Sequence, residues 1–247
     1  MLPYAIRPLV YETSFEEFIS VEEYVPTRAF LQAYGFLPYN NVKLDYALYL
    51  GNSPNINDLN ERGQTGVDTT ASFLVGGRVG IRLMGLKAGV SATRQNIVFF
   101  AFAAEIYGGP IGLYEDISQT RFGADLSMDL GRFFVEGEYI ALSWEEVNAT
   151  DKLEKHFYYG TLGYDVTERA LIYGTFWHNG ESFEFQKGTI NVYSAGLSYS
   201  LNDRTKLKAQ YARAEITNET FVQLGTTMPR VSVVDLDYLT VALSVFF

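Results

Sequence analysis

Phe73-Leu74-Val75-Gly76-Gly77-Arg78-Val79-Gly80-Ile81-Arg82-Leu83 decides how this chain folds. Phe73, Val75, Gly77, Val79, Ile81 and Leu83 fall on one parity, and Gly76, Arg78, Gly80 and Arg82 on the other. Successive side chains of a strand point to opposite faces, so the stretch reads as a strand with one greasy side and one polar side. The same alternation returns along the chain. Leu86, Ala88, Val90 and Ala92 oppose Lys87, Gly89, Ser91, Thr93 and Gln95. Phe122, Ala124, Leu126, Met128 and Leu130 oppose Arg121, Asp125, Ser127 and Asp129, and Leu207, Ala209 and Tyr211 oppose Lys206, Lys208 and Gln210.

The punctuation alternates as well. Short turns stand at Tyr39-Asn40-Asn41, Met84-Gly85, Leu130-Gly131-Arg132, Thr167-Glu168-Arg169 and Asn202-Asp203-Arg204. Longer polar connectors fall at 13–25, 52–71, 97–119, 146–154, 181–188 and 217–233. This predicts a meander of hairpins, with tight turns at one end and long loops at the other. The strands are placed at 4–11, 26–37, 43–51, 72–84, 86–96, 120–130, 132–145, 155–166, 169–180, 189–201, 204–216 and 234–247.

Length then separates a soluble sheet from a membrane one. Soluble strands average about five or six residues, whereas most of these are about twice as long, which is what crossing a bilayer at a tilt requires. No window approaches the roughly 18 apolar residues of a membrane helix, and the greasiest stretch, Ile97 to Ala104, is too short for one. Phe133, Tyr139, Trp144, Tyr158, Tyr164, Trp177 and Tyr199 lie near predicted strand ends, where amphipathic rings suit the bilayer interfaces. A strand in lipid must have its backbone groups paired, which a closed sheet supplies. The predicted fold is therefore all-β, an antiparallel up-and-down transmembrane barrel with about 12 strands in this chain, forming one domain over residues 1–247.

Composition agrees. The 247 residues contain 22 Gly, 15% aromatics and no Cys, a make-up for strands and tight turns, with no disulfide framework, thiolate metal site or cysteine nucleophile. The net charge of −10 argues against nucleic acid as a partner. Met1-Leu2-Pro3-Tyr4 lacks the basic start and apolar core of a signal peptide.

The chain closes on Leu239-Thr240-Val241-Ala242-Leu243-Ser244-Val245-Phe246-Phe247. Counting back from Phe247, the positions Val245, Leu243, Val241 and Leu239 are all apolar. This resembles the C-terminal strand of bacterial outer-membrane proteins, which their barrel-assembly machinery reads. Arg7-Pro8-Leu9, Leu31-Gln32-Ala33-Tyr34-Gly35 and Leu44-Asp45-Tyr46-Ala47-Leu48-Tyr49-Leu50-Gly51-Asn52 resemble the middle of the Gram-negative porin-like proteins. Arg121-Phe122-Gly123-Ala124-Asp125-Leu126 and Phe134-Val135-Glu136-Gly137-Glu138-Tyr139 continue the likeness. The resemblance implies a place in the bacterial outer membrane, a signal peptide and several strands ahead of this region, and a whole barrel of about sixteen strands. It also implies lipid and lipopolysaccharide around the barrel, and homotrimers as a common assembly.

If the greasy faces meet lipid, the polar faces line a lumen. Positive candidates there are Arg28, Arg78, Arg82, Lys87, Arg121, Lys206 and Lys208, and negative ones Asp45, Asp125, Asp129, Glu136, Glu138 and Asp165. Rings of such charge set selectivity in channels. Arg78 and Arg82, two turns of the pleat apart on one face of a strand with Gly80 between them, are the strongest constriction candidates. The segment from Gln95 to Gln119 is greasy for a connector. Three readings stand: a constriction loop carrying Glu105, Glu115 and Asp116, an extension of the two strands, or a contact with a neighbouring subunit.

Enzyme readings are weak. His156 and His178 are the only histidines, both placed at strand edges facing loops, and Ser182 near His178 lacks an orienting partner. No metal site or cofactor is expected, and the acidic residues Glu16, Glu17, Glu22, Glu23, Asp58 and Glu61 read as a solvated face. Two functional readings remain. One is a porin for passive diffusion of small hydrophilic solutes or ions. The other is a structural or adhesive barrel with a plugged lumen and ligand-binding outer loops. Gly76, Gly80, Gly89, Ser91, Gly123, Ser127, Ser194, Gly196 and Ser198 would leave a lumen open, while Phe30, Tyr34, Tyr49 and Phe134 would fill it.

Overall fold

The computed structural model of the chain describes residues 31–52, 73–100, 113–145, 152–182, 186–220 and 230–245. Every element in them is a strand: β1 (Leu31–Tyr39), β2 (Val42–Asn52), β3 (Phe73–Leu83), β4 (Leu86–Phe100), β5 (Leu113–Leu130), β6 (Phe133–Glu145), β7 (Lys152–Asp165), β8 (Ala170–Ser182), β9 (Gln186–Asn202), β10 (Thr205–Thr220) and β11 (Arg230–Val245). They form one sheet in strict chain order, each strand antiparallel to the next. Among the described residues β1 and β11 are the edges. The expected strand at 4–11 lies outside the described residues, and the other eleven are all present.

All five short turns are where the alternation breaks. Met84 and Gly85 both adopt positive φ, 41° and 88°, the conformation of a two-residue hairpin turn whose twist matches that of its strands. Gly131 supplies the same freedom at φ 70° and Asn40 at φ 53°. The Thr167 hydroxyl accepts from the amides of Arg169 and Ala170, and the Asn202 side chain accepts from that of Arg204. Side chains thus satisfy the backbone at those two reversals.

The other end departs from expectation. The expected connector 97–119 narrows to residues 101–112, because β4 runs on to Phe100 and β5 begins at Leu113. Asn96 faces Ser118 and Ile97 faces Ile117, with an irregularity between Ile97 and Phe99. Of the three readings of this segment, its two flanks therefore follow strand extension. Likewise β10 reaches Thr220, and β8 and β9 reach Ser182 and Gln186. Polar residues such as Ser118 and Gln186 hide this continuation in the sequence. Once a strand leaves lipid neither face needs to be apolar, and backbone pairing alone carries it on.

The two faces of the sheet are inverted relative to a soluble protein. Leu239, Val241 and Leu243 are 72%, 64% and 61% exposed, while Gln95, Gln119 and Gln210 are 2%, 2% and 3% exposed. A single layer can bury a face only by curling over it, so the polar, buried face is the concave one. The greasy face looks outward, where lipid rather than water must cover it.

Candidate functional site

Cross-strand register places the predicted wall residues in rows along the concave face. One row runs Asp45, Gly80, Gly89, Asp125, Glu138, Tyr159 from β2 to β7. The next runs Lys43, Arg82, Lys87, Ser127, Glu136, Thr161 over the same strands. The structure thus gathers Asp45, Arg78, Arg82, Lys87, Asp125, Glu136 and Glu138 into one band. Asp129 stands two residues beyond Ser127, beside the turn. Lys206 and Lys208 share the concave face but sit on β10, opposite Ser200 and Ser198 of β9. Arg121 is buried in a separate group, donating to Gln119 at 2.8 Å, and Gln119 hydrogen-bonds Gln95. Arg28 and Glu105 lie outside the described residues.

Glu115 and Asp116 belong to β5, not to a loop, which corrects their placement in a constriction loop. Their acidic character suggested a connector, but pairing with β4 continues past them to Leu113.

Four of the charges in the band are paired across strands. Arg78 Nη2 lies 2.7 Å from Asp125 Oδ2 and 2.8 Å from Oδ1, and Arg78 Nε lies 3.0 Å from Oδ1. Arg78 is on β3 and Asp125 on β5, so the guanidinium crosses the whole of β4. It can do so because residue 89 is glycine: a Cβ there would stand 2.6 Å from Arg78 Cζ and 3.0 Å from Asp125 Oδ1. Arg82 Nε meets Asp45 Oδ2 at 2.5 Å. Both pairs are partly solvated, and such pairs add only about 0–1 kcal/mol of stability. Their larger effect is to cancel charge along the wall.

The same device recurs with rings. Tyr173 of β8 crosses β9 over Gly196 and donates to Gln210 Oε1 of β10 at 2.9 Å. Phe134 lies over Gly163, and Tyr49 over Gly76. The sequence reading took Gly76, Gly80, Gly89 and Gly196 as open space. They are instead troughs in which long neighbouring side chains lie flat. The signal was available: Tyr49 and Gly76, Phe134 and Gly163, and Tyr173 and Gly196 are each direct cross-strand partners.

Trp144 and Trp177 also need correcting. Both are 9% exposed and face inward, because they share parity with Glu136 and Glu138 on β6 and with Thr175 on β8. Trp177 packs with Ile190, Val192, Ala212 and Ala214 into an apolar patch on the concave side of β8–β10. Trp144 lies under Lys155 Nζ at 5.3 Å, and Lys155 pairs with Glu181 at 3.2 Å. Sequence reasoning missed this buried ion pair, since Lys155 and Glu181 each fell at the margin of a predicted loop.

Outward, Tyr139, Tyr158, Phe176 and Tyr193 form a chain of ring contacts at 6.4, 6.0 and 5.1 Å across β6–β9. Phe133 and Tyr164 pair at 4.6 Å nearer the turns. These are two aromatic levels of the kind that brackets a bilayer. Beside the chain of rings, Tyr139 meets His156 Nδ1 at 3.1 Å and His178 Nδ1 meets Asn191 at 2.7 Å. The histidines are therefore within strands on the outward face, not at edges facing loops. Leu239, Val241 and Leu243 form an outward row on β11, the strand ends at Val245, and Phe247 lies outside the described residues.

The profile of Gram-negative porins matches residues 39–219. No curated protein matches the sequence significantly. Among solved structures, OmpT, an outer membrane protein of Vibrio cholerae folded in vitro, gives a TM-score of 0.57 at 12% identity, covering 87% of this chain and 64% of that one. OmpT of Vibrio cholerae expressed in the outer membrane gives 0.56 at 10% identity with the same coverage, 87% and 64%. The in-vitro folded trimer form of OmpT gives 0.56 at 9% identity, again covering 87% and 64%. This chain spans 64% of those neighbours, less than two thirds of their length. At such low identity the likeness speaks to the fold, an outer-membrane β-barrel.

Proposed function

This chain belongs to the Gram-negative porin family, whose profile covers most of its length, and from that membership we propose that it walls a water-filled channel for passive diffusion of small hydrophilic solutes or ions. The protein is a β-barrel of the Gram-negative outer membrane. The observation that carries the channel reading is the concave band of Asp45, Arg78, Arg82, Lys87, Asp125, Glu136 and Glu138. Charged side chains are expensive to pack away from water, so a band of them facing inward calls for a wet interior. Because Arg78 and Arg82 are neutralised by Asp125 and Asp45, the pore discriminates weakly by charge.

The test is single-channel recording of the refolded protein in a planar bilayer under a salt gradient. Stable stepwise conductance with a small reversal potential is the expected result. Silence from a sample that is folded and heat-modifiable would overturn the reading.

A second reading, a structural or adhesive barrel with a filled interior, is favoured by one observation: the apolar patch around Trp177 on the concave face. Silent but folded protein would move the conclusion there. As partners we propose outer-membrane lipid and lipopolysaccharide on the outward face, and the barrel-assembly machinery at Leu239, Val241, Leu243, Val245 and Phe247. We propose a homotrimer as the assembly, following the trimer form of the OmpT neighbour. Migration in unheated detergent gels checks the trimer.

A further inference from the structure

Toward the long-connector end of the concave wall, two rows of residues cross β8, β9, β10 and β11 in register. The lower row is Asn179, Ile190, Ile216 and Val234, and the upper row is Glu181, Gly188, Asn218 and Ser232. Together they line a recess of about 170 Å³. Its floor is apolar and continuous with the Trp177 cluster through Ile190. Its upper edge is amide, hydroxyl and carboxylate. Gly188 gives it depth, since a Cβ at that position would meet nothing within 4 Å.

Three features limit what fits. The Glu181 carboxylate is already paired with Lys155 at 3.2 Å, so the recess offers no net charge and an apolar floor, a poor place for an ion. Asn218 Oδ1 is buried without a hydrogen-bond partner among the described residues. Such an acceptor is costly to leave unmade and calls for a donor. The volume is well below the ~300–1,000 Å³ of sites for drug-sized ligands, yet several times the roughly 30 Å³ that a water occupies. A small neutral ring with one C–H face and several hydroxyls meets all three conditions.

We propose that this recess is a transient binding site for a neutral monosaccharide or cyclic polyol travelling along the wall. The ring lays its C–H face on Ile190, Ile216 and Val234 and offers hydroxyls to Asn218, Asn179 and Ser232. The site deepens the channel reading and rests on it only for the route by which the solute arrives.

The two tryptophans of the chain make occupancy visible. In a Trp144→Phe background the remaining Trp177 packs against Ile190 of the floor. The protein is reconstituted and titrated with D-glucose, following Trp177 emission and single-channel current in parallel. A saturable emission change and a saturable reduction of ionic current at the same glucose concentration are expected. Asn218→Leu and Gly188→Val should each weaken half-saturation by about tenfold or more, the effect of losing roughly 1.4 kcal/mol, with open-channel current retained. Heat-modifiability certifies that each variant is folded.

Normal current with no emission change overturns the site and leaves the channel. An emission change without any ionic current keeps the site and overturns the channel. An equal response to n-butanol, which lacks the ring of hydroxyls, overturns the polyol assignment, as does unaltered glucose response in both variants.

Discussion

Arg78 on β3 and Asp125 on β5 are joined by a forked ion pair that spans the full width of β4, with the guanidinium laid over Gly89. Asp125 also has Glu138 as its direct neighbour on β6. The arginine is therefore the counter-charge that meets this locally acidic stretch of wall among the described residues, and its removal has a defined sign.

Arg78→Gln leaves Asp125 uncompensated beside Glu138, so the reversal potential should move towards cations. Asp125→Asn should move it towards anions by a comparable amount. The double change Arg78→Glu with Arg82→Glu should give the largest cation shift, since Asp45 loses its partner as well. Salt-gradient reversal potentials check all three, and unchanged values would remove these residues from the conducting path.

Gly89→Val keeps every charge but drives a side chain into the space that Arg78 Cζ occupies. The guanidinium must lift away from the wall. Single-channel conductance should fall while the reversal potential changes little, a pattern opposite to that of the charge variants.

Gly163→Ala places a methyl group inside the Phe134 ring. Overpacking of this kind costs about 1–3 kcal/mol. Phe134→Ala in the same chain should recover part of the loss, and urea unfolding of the two single variants and the double variant measures the coupling.

The outward and inward parities of β11 should respond differently to charge. Val241→Arg, 64% exposed and outward, should cost about 2–4 kcal/mol if it lies near the bilayer midplane. Ala242→Glu, inward and opposite Lys208, should stay within about 0.5 kcal/mol. Reversible unfolding in lipid vesicles reads both, and equal costs would contradict the assignment of faces.

Much of this was legible in the residues alone. The alternation in 73–83 gives both the strand and its faces, since a period of two is a local property. The turns at Met84-Gly85 and Gly131 are equally local, being demands on single φ angles. The ends of β4 and β5 near the long connector were not legible, because backbone pairing there runs on past an irregularity to Phe100 and Leu113 and needs no alternation of side chains. The inward placement of Trp144 and Trp177 was readable by parity and was obscured by the general affinity of tryptophan for interfaces. The pairing of Arg78 with Asp125 was beyond reach. It depends on which strands neighbour each other and on what lies flat between them, and neither is written in any one segment.

The flat-lying side chains have a consequence for the bore of the barrel. Strand number fixes how wide the backbone ring is, but Tyr49, Phe134 and Tyr173 each roof a glycine on the wall. The backbone and the aperture are thus set by different residues. Trimming a roofing ring exposes bare backbone and widens the passage locally, while the strands and their hydrogen bonds stay as they were. Calibre is in this way an adjustable property of a fixed frame, altered at single positions and in either direction.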